Sequence, residues 1–498
     1  MKVKHPISLI KLRIYPFQDI FSLFLFGVCG KNSNFATMTL IIVAILLVSY
    51  ILIATERLTN VNKAAIAVFA GTVGWVLYIC WGSDFIMSNH QGEYMSFLHG
   101  ASATSDAVKS YIWQNIFIQC VGKASEVVLF LLATMTIVEI LHNNGCFDFL
   151  TIWLRTRNSR VLLWKLAAFS FILSANLDNI SSTVMMLTVT NQILPRTRDR
   201  IIYGAVVVLA VNFGGALTVI GDPTSLVLWN MGAITATSYS LSLLIPCLIA
   251  WMLPTYLIGR TLSETVQLDR PGLPYRGDDT NLKVWQRLVV LFVGIGGLWF
   301  IPTFHNITKL SPFLGAFCVL SILWIINEIF NRNIMSFDRR MTRSIPRQLQ
   351  YSIIQLMLYV MGIMLAVGVV AETGAFVWLA EQIAEYCPSI WILGVIAGFI
   401  SIFLDNFATA MTMISIFDMN AVMQPTGPLL VDMVQNGAYW KVIGYVTAVG
   451  SSVLAVGSVS GIVYMRTERV GMSWYFKHVG SKVLLAGIIG LVVLYFTV

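Results

Sequence analysis

Two short stretches of the chain combine ionisable and amide side chains in the middle of apolar sequence. Ser174-Ala-Asn-Leu-Asp-Asn-Ile-Ser-Ser-Thr183 carries Asp178 and Asn179, and Ile400-Ser-Ile-Phe-Leu-Asp-Asn-Phe-Ala-Thr409 carries Asp405 and Asn406 in the same Leu-Asp-Asn triplet. A charged side chain at bilayer depth costs at least ~2.5–3.5 kcal/mol on insertion scales, so it faces a partner or a wet cavity and marks an ion or proton pathway. Hydroxyls follow each triplet: Ser181, Ser182 and Thr183 after the first, Thr409 after the second. Carboxylate, amide carbonyl and hydroxyl oxygens are hard ligands, suited to a small hard cation such as Na⁺. Asp178 and Asp405 are the charge carriers in this reading, and Asn179 and Asn406 supply carbonyl ligands or orient the carboxylates. Protons compete with a metal ion for the same oxygens. The plainer alternative is helix capping, since Ser, Thr, Asn and Asp are preferred N-caps; a neutral residue would cap without placing a charge in the membrane.

The elements that hold these stretches are membrane spans. With 57% hydrophobic and 11% charged residues and a mean hydropathy of +0.78, the chain is far from a soluble globule, whose charged fraction is about 25%. The formal charge of +8 sits in short basic runs between apolar segments, a topological signal; no nucleic-acid motif is present. The seven cysteines and six histidines show no metal-ligand spacing. Residues 1–36 form a basic then apolar segment, either a signal peptide or a short extra span. Apolar runs long enough to cross ~30 Å of hydrocarbon lie near 37–55, 63–82, 126–141, 201–230, 240–258, 287–304, 311–330, 351–371, 438–465 and 481–498. Segments 161–176 with 180–194, and 389–403 with 406–417, read as helical hairpins turning at the Leu-Asp-Asn triplets.

Two further stretches interrupt long helices. Proline removes a backbone donor and clashes with the preceding turn, so Gly221-Asp-Pro-Thr-Ser225 breaks its helix, and Gly457-Ser-Val-Ser-Gly461 is the corresponding break in the second half. Backbone freed at membrane depth is tolerated only where protein or a cavity satisfies it, so break and hairpin tip should face each other. Thr224 and Ser458 join the candidate ligands here, and Asp222 is either a third titratable group or a cap on the downstream half-helix. Leu129–Leu150 aligns without gaps on Leu358–Leu379, placing Gly145 on Gly374, with hairpin and break following in the same order. An odd number of crossings separates the two copies, which predicts inverted-topology repeats, the architecture of alternating-access transporters. The expected fold is an all-α polytopic membrane protein with about 10–13 transmembrane segments: a first repeat over 37–258, a linker over 259–286 and a second repeat over 287–498. Arginine-rich loops at 155–160, 196–200, 259–287, 331–350 and 466–482 fall on one face, cytoplasmic by the positive-inside rule.

The motifs SANLDNISSTVMML, VNFGGALTVIGDPTSLVLW, LDNFATAMTM and FLLATMTIVEIL resemble those of the NhaD-type sodium/proton antiporters of the ion transporter superfamily, over roughly residues 120–470. The resemblance implies exchange of Na⁺ or Li⁺ for H⁺ across a bacterial inner membrane, without a cofactor, with small cations and bilayer lipid as partners. It also implies a scaffold akin to dimeric transporters. Asp178, Asp405, Asn179 and Asn406 would then hold the transported ion. Glu139, near the cytoplasmic end of the span before the first hairpin, is either a solvated or arginine-paired residue or a proton entry point. The rivals are a sodium-coupled organic-anion symporter or arsenite-type exporter on the same scaffold and, remotely, an intramembrane aspartyl hydrolase. No G-x-G-D motif supports the last, and fixed carboxylates at both tips repel a dicarboxylate.

Overall fold

The computed structural model describes residues 33–100, 102–268, 282–335, 347–386, 389–417 and 432–498. The N-terminal segment up to residue 32, and Arg270, Arg276, Arg339, Arg340, Arg343 and Asp418 of the loops, lie outside them. Among the described residues the chain is helical, and ten helices are long and apolar enough to cross a membrane. In chain order they and their shorter companions are α1 (Ser33–Ala54), α2 (Lys63–Cys80), α3 (Ser105–Asn143), α4 (Ser159–Asn176), α5 (Asn179–Ile193), α6 (Thr197–Leu217), α7 (Pro223–Asn230), α8 (Ala236–Gly259) and α9 (Val284–Thr308). The remainder are α10 (Pro312–Met335), α11 (Arg347–Glu372), α12 (Ala375–Tyr386), α13 (Ile390–Phe403), α14 (Asn406–Ile416), α15 (Ala438–Leu454), α16 (Val459–Thr467) and α17 (Met472–Thr497). Two spans are longer than hydropathy indicates. The span expected at 126–141 begins at Ser105, because Lys109, Lys123 and Glu126 dilute its hydropathy without stopping the helix, and a π-helical stretch at Ile112–Phe117 interrupts it. The last span begins at Met472 rather than 481 and also contains a π-helical stretch, Phe476–Gly480.

The hairpins and the first break lie where the motifs put them, and the second break begins earlier. The arms of the second hairpin are 14 and 11 residues long, about 21 and 16 Å at 1.5 Å per residue, too short to cross ~30 Å. Their turn therefore sits inside the membrane. The first broken helix stops at Leu217 and restarts at Pro223, proline being favourable at the first helical position. The second stops at Leu454, passes through Ala455 at φ +58° and restarts at Val459, so its unwound part is Ala455–Ser458, earlier than the Gly457–Gly461 stretch suggests.

Both halves repeat one order of elements. Gly145 after α3 and Gly374 after α11 both take positive φ, +67° and +78°, a conformation glycine adopts freely. The outer arm of each hairpin packs along the broken helix of its own half, α4 on α6 and α13 on α15. At the breaks, a side chain on Gly221 would meet the Ser174 carbonyl, and one on Gly457 the Ser401 carbonyl; each serine stands four residues before its aspartate. Across the halves, α2 packs on α11 and α10 on α3.

Loop contacts sort the helix ends into two groups. In one, Arg466 pairs with Glu56 at 3.1 Å and Arg200 with Glu468 at 3.4 Å, Val266 N–H donates to Arg157 O at 3.0 Å, Tyr203 Oη donates to Ser159 O at 3.0 Å, and Asn144 donates to Asn327 at 2.7 Å. In the other, Thr235 N–H donates to Asn436 at 2.7 Å, Asn89 donates to Glu372 O at 2.7 Å, and Glu126 accepts from Asn230 and Ser311 at 3.1 and 3.0 Å. The first group joins residues at or beside four of the arginine-rich loops, 155–160, 196–200, 259–287 and 466–482. Glu126 is thus a structural tie, and Glu328, bonded to Trp324 at 2.7 Å, is a surface residue.

Candidate functional site

Four helix N-termini carry the candidate residues, and each is capped by one of them. Asp178 Oδ1 accepts from Ser181 N–H at 2.8 Å at the start of α5. Asp405 Oδ1 accepts from Phe407 N–H at 2.9 Å at the start of α14. Asp222 Oδ2 accepts from Thr224 N–H at 3.0 Å, and Ser458 Oγ from Gly461 N–H at 3.1 Å. Capping and ion chemistry, posed by the sequence as alternatives, are compatible here, because capping uses one carboxylate oxygen and leaves the other.

Asp222 joins the two hairpins. Asn179 Nδ2 donates to its Oδ1 at 2.5 Å and Asn406 Nδ2 to its Oδ2 at 3.0 Å. An asparagine from each tip therefore converges on one carboxylate of the first break, which also caps α7 and is buried. Asn179 is oriented by Ser174, whose hydroxyl donates to its Oδ1 at 2.6 Å. Gly215 makes room for it, since a methyl there would run into the Asn179 amide. From the second half, Asn406 N–H donates to Gly457 O at 3.1 Å, so the second tip also touches the second break. Asn212 of α6 links the breaks by donating to Ser452 and Ser458 at 3.0 and 3.1 Å.

The two aspartates of the triplets are not in contact. Asp405 Oδ2 is 2.6 Å from Lys63 Nζ, whereas no donor reaches the buried Asp178 Oδ2. An ammonium thus meets the carboxylate at one tip, and at the other a buried oxygen has no donor. Ser182 Oγ, Thr224 Oγ1 and Asn212 Oδ1 are likewise buried with no partner, in a molecule class where buried polar atoms are normally bonded. Thr183 and Thr409 are committed to their own helices, donating to Asn179 O at 2.7 Å and Asp405 O at 3.0 Å. Glu139 is 5% exposed and accepts from Asn143 at 2.8 Å. No cluster of three or more His, Cys, Asp or Glu side chains suited to a resident metal occurs among the described residues.

Sequence reasoning missed Lys63, Ser174, Asn212 and Gly215. Lys63 opens an apolar run and Asn212 stands alone among apolar neighbours in α6, signals of the same kind that singled out the aspartates. What joins them to the site is packing between segments far apart in sequence.

A family model described as citrate transporter, CitMHS, matches residues 50–431. The chain belongs to this family. Among similar proteins, sodium/proton antiporter 2 of Arabidopsis thaliana is 28% identical over 87% of this chain and 94% of its own length. The Na⁺/H⁺ antiporter NhaD of Vibrio cholerae is 21% identical over 94% of this chain and 93% of its own. The crystal structure of the YdaH transporter of Alcanivorax borkumensis, described as having an unusual topology, superposes with a TM-score of 0.55 at 14% identity, over 78% of this chain and 88% of that one. These similarities place the chain among integral membrane transporters of the ion transporter superfamily rather than enzymes.

Proposed function

We propose that this CitMHS-family protein exchanges Na⁺, and Li⁺, for H⁺ by alternating access. The observation that carries the reading is the meeting of both hairpin tips on Asp222, with buried oxygens of Asp178, Ser182 and Thr224 that have no partner in the protein at the starts of α5 and α7. An all-oxygen set of carboxylate and hydroxyls suits a small hard cation, and a proton placed on Asp178 Oδ2 makes the same oxygen unavailable to it. One carboxylate that holds either a metal ion or a proton, presented to each side in turn, is sufficient for antiport.

The architecture supports the alternation. Five spans separate the starts of the equivalent helices α3 and α11, so the halves run in opposite senses through the membrane. The arginine-rich face is cytoplasmic in this reading, and the protein works in a membrane that carries a proton gradient. The antiport names of the plant and bacterial relatives favour this substrate class. An organic-anion symporter needs the helix N-termini to offer their amides and positive dipole ends to a carboxylate, but three of the four here are already occupied by aspartates.

The test uses everted vesicles from an antiporter-deficient strain with an acidified interior. Na⁺ or Li⁺ should discharge the pH gradient, and Asp178→Asn should abolish that response. A gradient untouched by Na⁺, Li⁺ and K⁺, with cation-dependent uptake of a dicarboxylate instead, would overturn the reading in favour of anion symport.

A further inference from the structure

Lys63 bears a charge at the second tip that cation exchange as described does not employ. It is the first residue of α2, where a cation opposes the helix dipole, and a lysine at the edge of a span ordinarily extends its ammonium to the interface. This ammonium instead lies against Asp405, at 2.6 Å, and over the Tyr359 ring, 4.1 Å from its centroid. The Lys63 side chain is 13% exposed and that of Asp405 5%. Carboxylate below and aromatic face beside it make a monovalent-cation site, filled by a cation that cannot leave. At the first tip the corresponding oxygen, Asp178 Oδ2, is open. A cleft lined by Ile53, Glu56, Phe403 and Val456 opens beside the pair, on the face where Glu56 meets Arg466.

We propose that Lys63 is a tethered cation: it fills the second hairpin tip when no transported ion is there, and it yields Asp405 to the transported ion by turning toward Glu56. The inference rests on the cation-exchange reading and adds to it a competitor built into the chain. No bond is made or broken; Asp405 exchanges one monovalent partner for another. The tip then never carries a bare carboxylate through the membrane, which spares the penalty of an uncompensated buried charge. Apparent Na⁺ affinity is set by this competition and not by the oxygens alone.

The full-length protein, purified and reconstituted, provides two readouts: ²²Na⁺ binding by scintillation proximity, and Na⁺-driven pH change in proteoliposomes. Lys63→Gln should bind ²²Na⁺ about tenfold more tightly and turn over more slowly, because binding that is no longer opposed is also harder to reverse. Lys63→Arg should stay near wild type in affinity. Unchanged or weaker binding in Lys63→Gln, with wild type active, overturns the inference alone; a wild type that neither binds ²²Na⁺ nor responds to Na⁺ or Li⁺ overturns the exchange reading and this with it. A second measurement needs no variant. Na⁺ should speed acylation of Lys63 by a membrane-impermeant amine reagent, read by mass spectrometry at that residue, and a rate indifferent to Na⁺ would equally sink the proposal.

Discussion

At each triplet aspartate one oxygen holds a helix start; the other meets Lys63 at Asp405 and has no donor at Asp178. Asp178→Asn keeps a capping oxygen, since asparagine caps about as well as aspartate, but removes the charge. The variant should insert and melt like wild type while Na⁺-dependent discharge of the pH gradient in vesicles is lost. The hydroxyls divide in the same manner. Ser182 Oγ has no partner whereas Thr183 Oγ1 is spent on Asn179 O. Ser182→Ala should raise the KM for Na⁺ at least about fivefold with kcat little changed, the pattern of lost ground-state binding, and Thr183→Ala should leave KM within about twofold. An equal effect of the two would contradict the assignment. The sequence makes the aspartates legible because a charge in apolar surroundings announces itself. It does not separate Ser182 from Thr183, because which hydroxyl turns back on its own helix is decided by rotamer and packing.

Among the elements, the meeting of two hairpins on one half-helix is what makes four short pieces into a site. Asn179 and Asn406 share Asp222 and so cannot act independently. A double-mutant cycle with Asn179→Ala and Asn406→Ala should show a coupling of at least ~0.5 kcal/mol in apparent Na⁺ affinity; strict additivity would mean that the bridge does not serve binding. Gly215→Ala, which forces a methyl against the Asn179 amide, should reduce exchange nearly as far as loss of Asn179 itself, measured in the same vesicles. Hairpins, breaks and their repeated order were readable from the Leu-Asp-Asn triplets and from proline and glycine. The bridge was not: Asp222 and Ser458 align with each other, yet only Asp222 accepts from both tips, and nothing in local sequence dictates that asymmetry. The second break was placed late for a similar reason. Its unwinding begins at Ala455, a residue with no tendency to end a helix, held at positive φ by its surroundings.

Across the whole molecule, the face opposite the arginine-rich loops is tied together by His90, whose Nε2 lies 2.9 Å from Glu372 and whose Nδ1 lies 3.5 Å from Glu93. The hydrogen bond to Glu372 pushes the His90 imidazole above its ordinary range, against the opposing effect of desolvation. A raised value in the folded state means that the contribution to stability is complete below the unfolded value of about 6.5 and is lost as pH climbs through the folded one. Hydrogen exchange of residues 82–98, corrected for intrinsic rates, should therefore quicken above about pH 6.5, and His90→Gln should remove the dependence. Charge distribution alone assigned the basic loops to one face, and the described contacts between them agree, because loop composition follows the membrane side rather than the details of packing.

The ion pair between α2 and the second hairpin joins residues 342 positions apart, which bears on how the protein is made. Lys63 emerges from the ribosome and takes its place in the bilayer long before Asp405 exists. Until then the acid nearest in sequence is Glu56, and a lysine at the edge of a span extends its ammonium toward the headgroups. A chain cut short before the second hairpin would therefore lack the carboxylate that meets Lys63 in the finished fold.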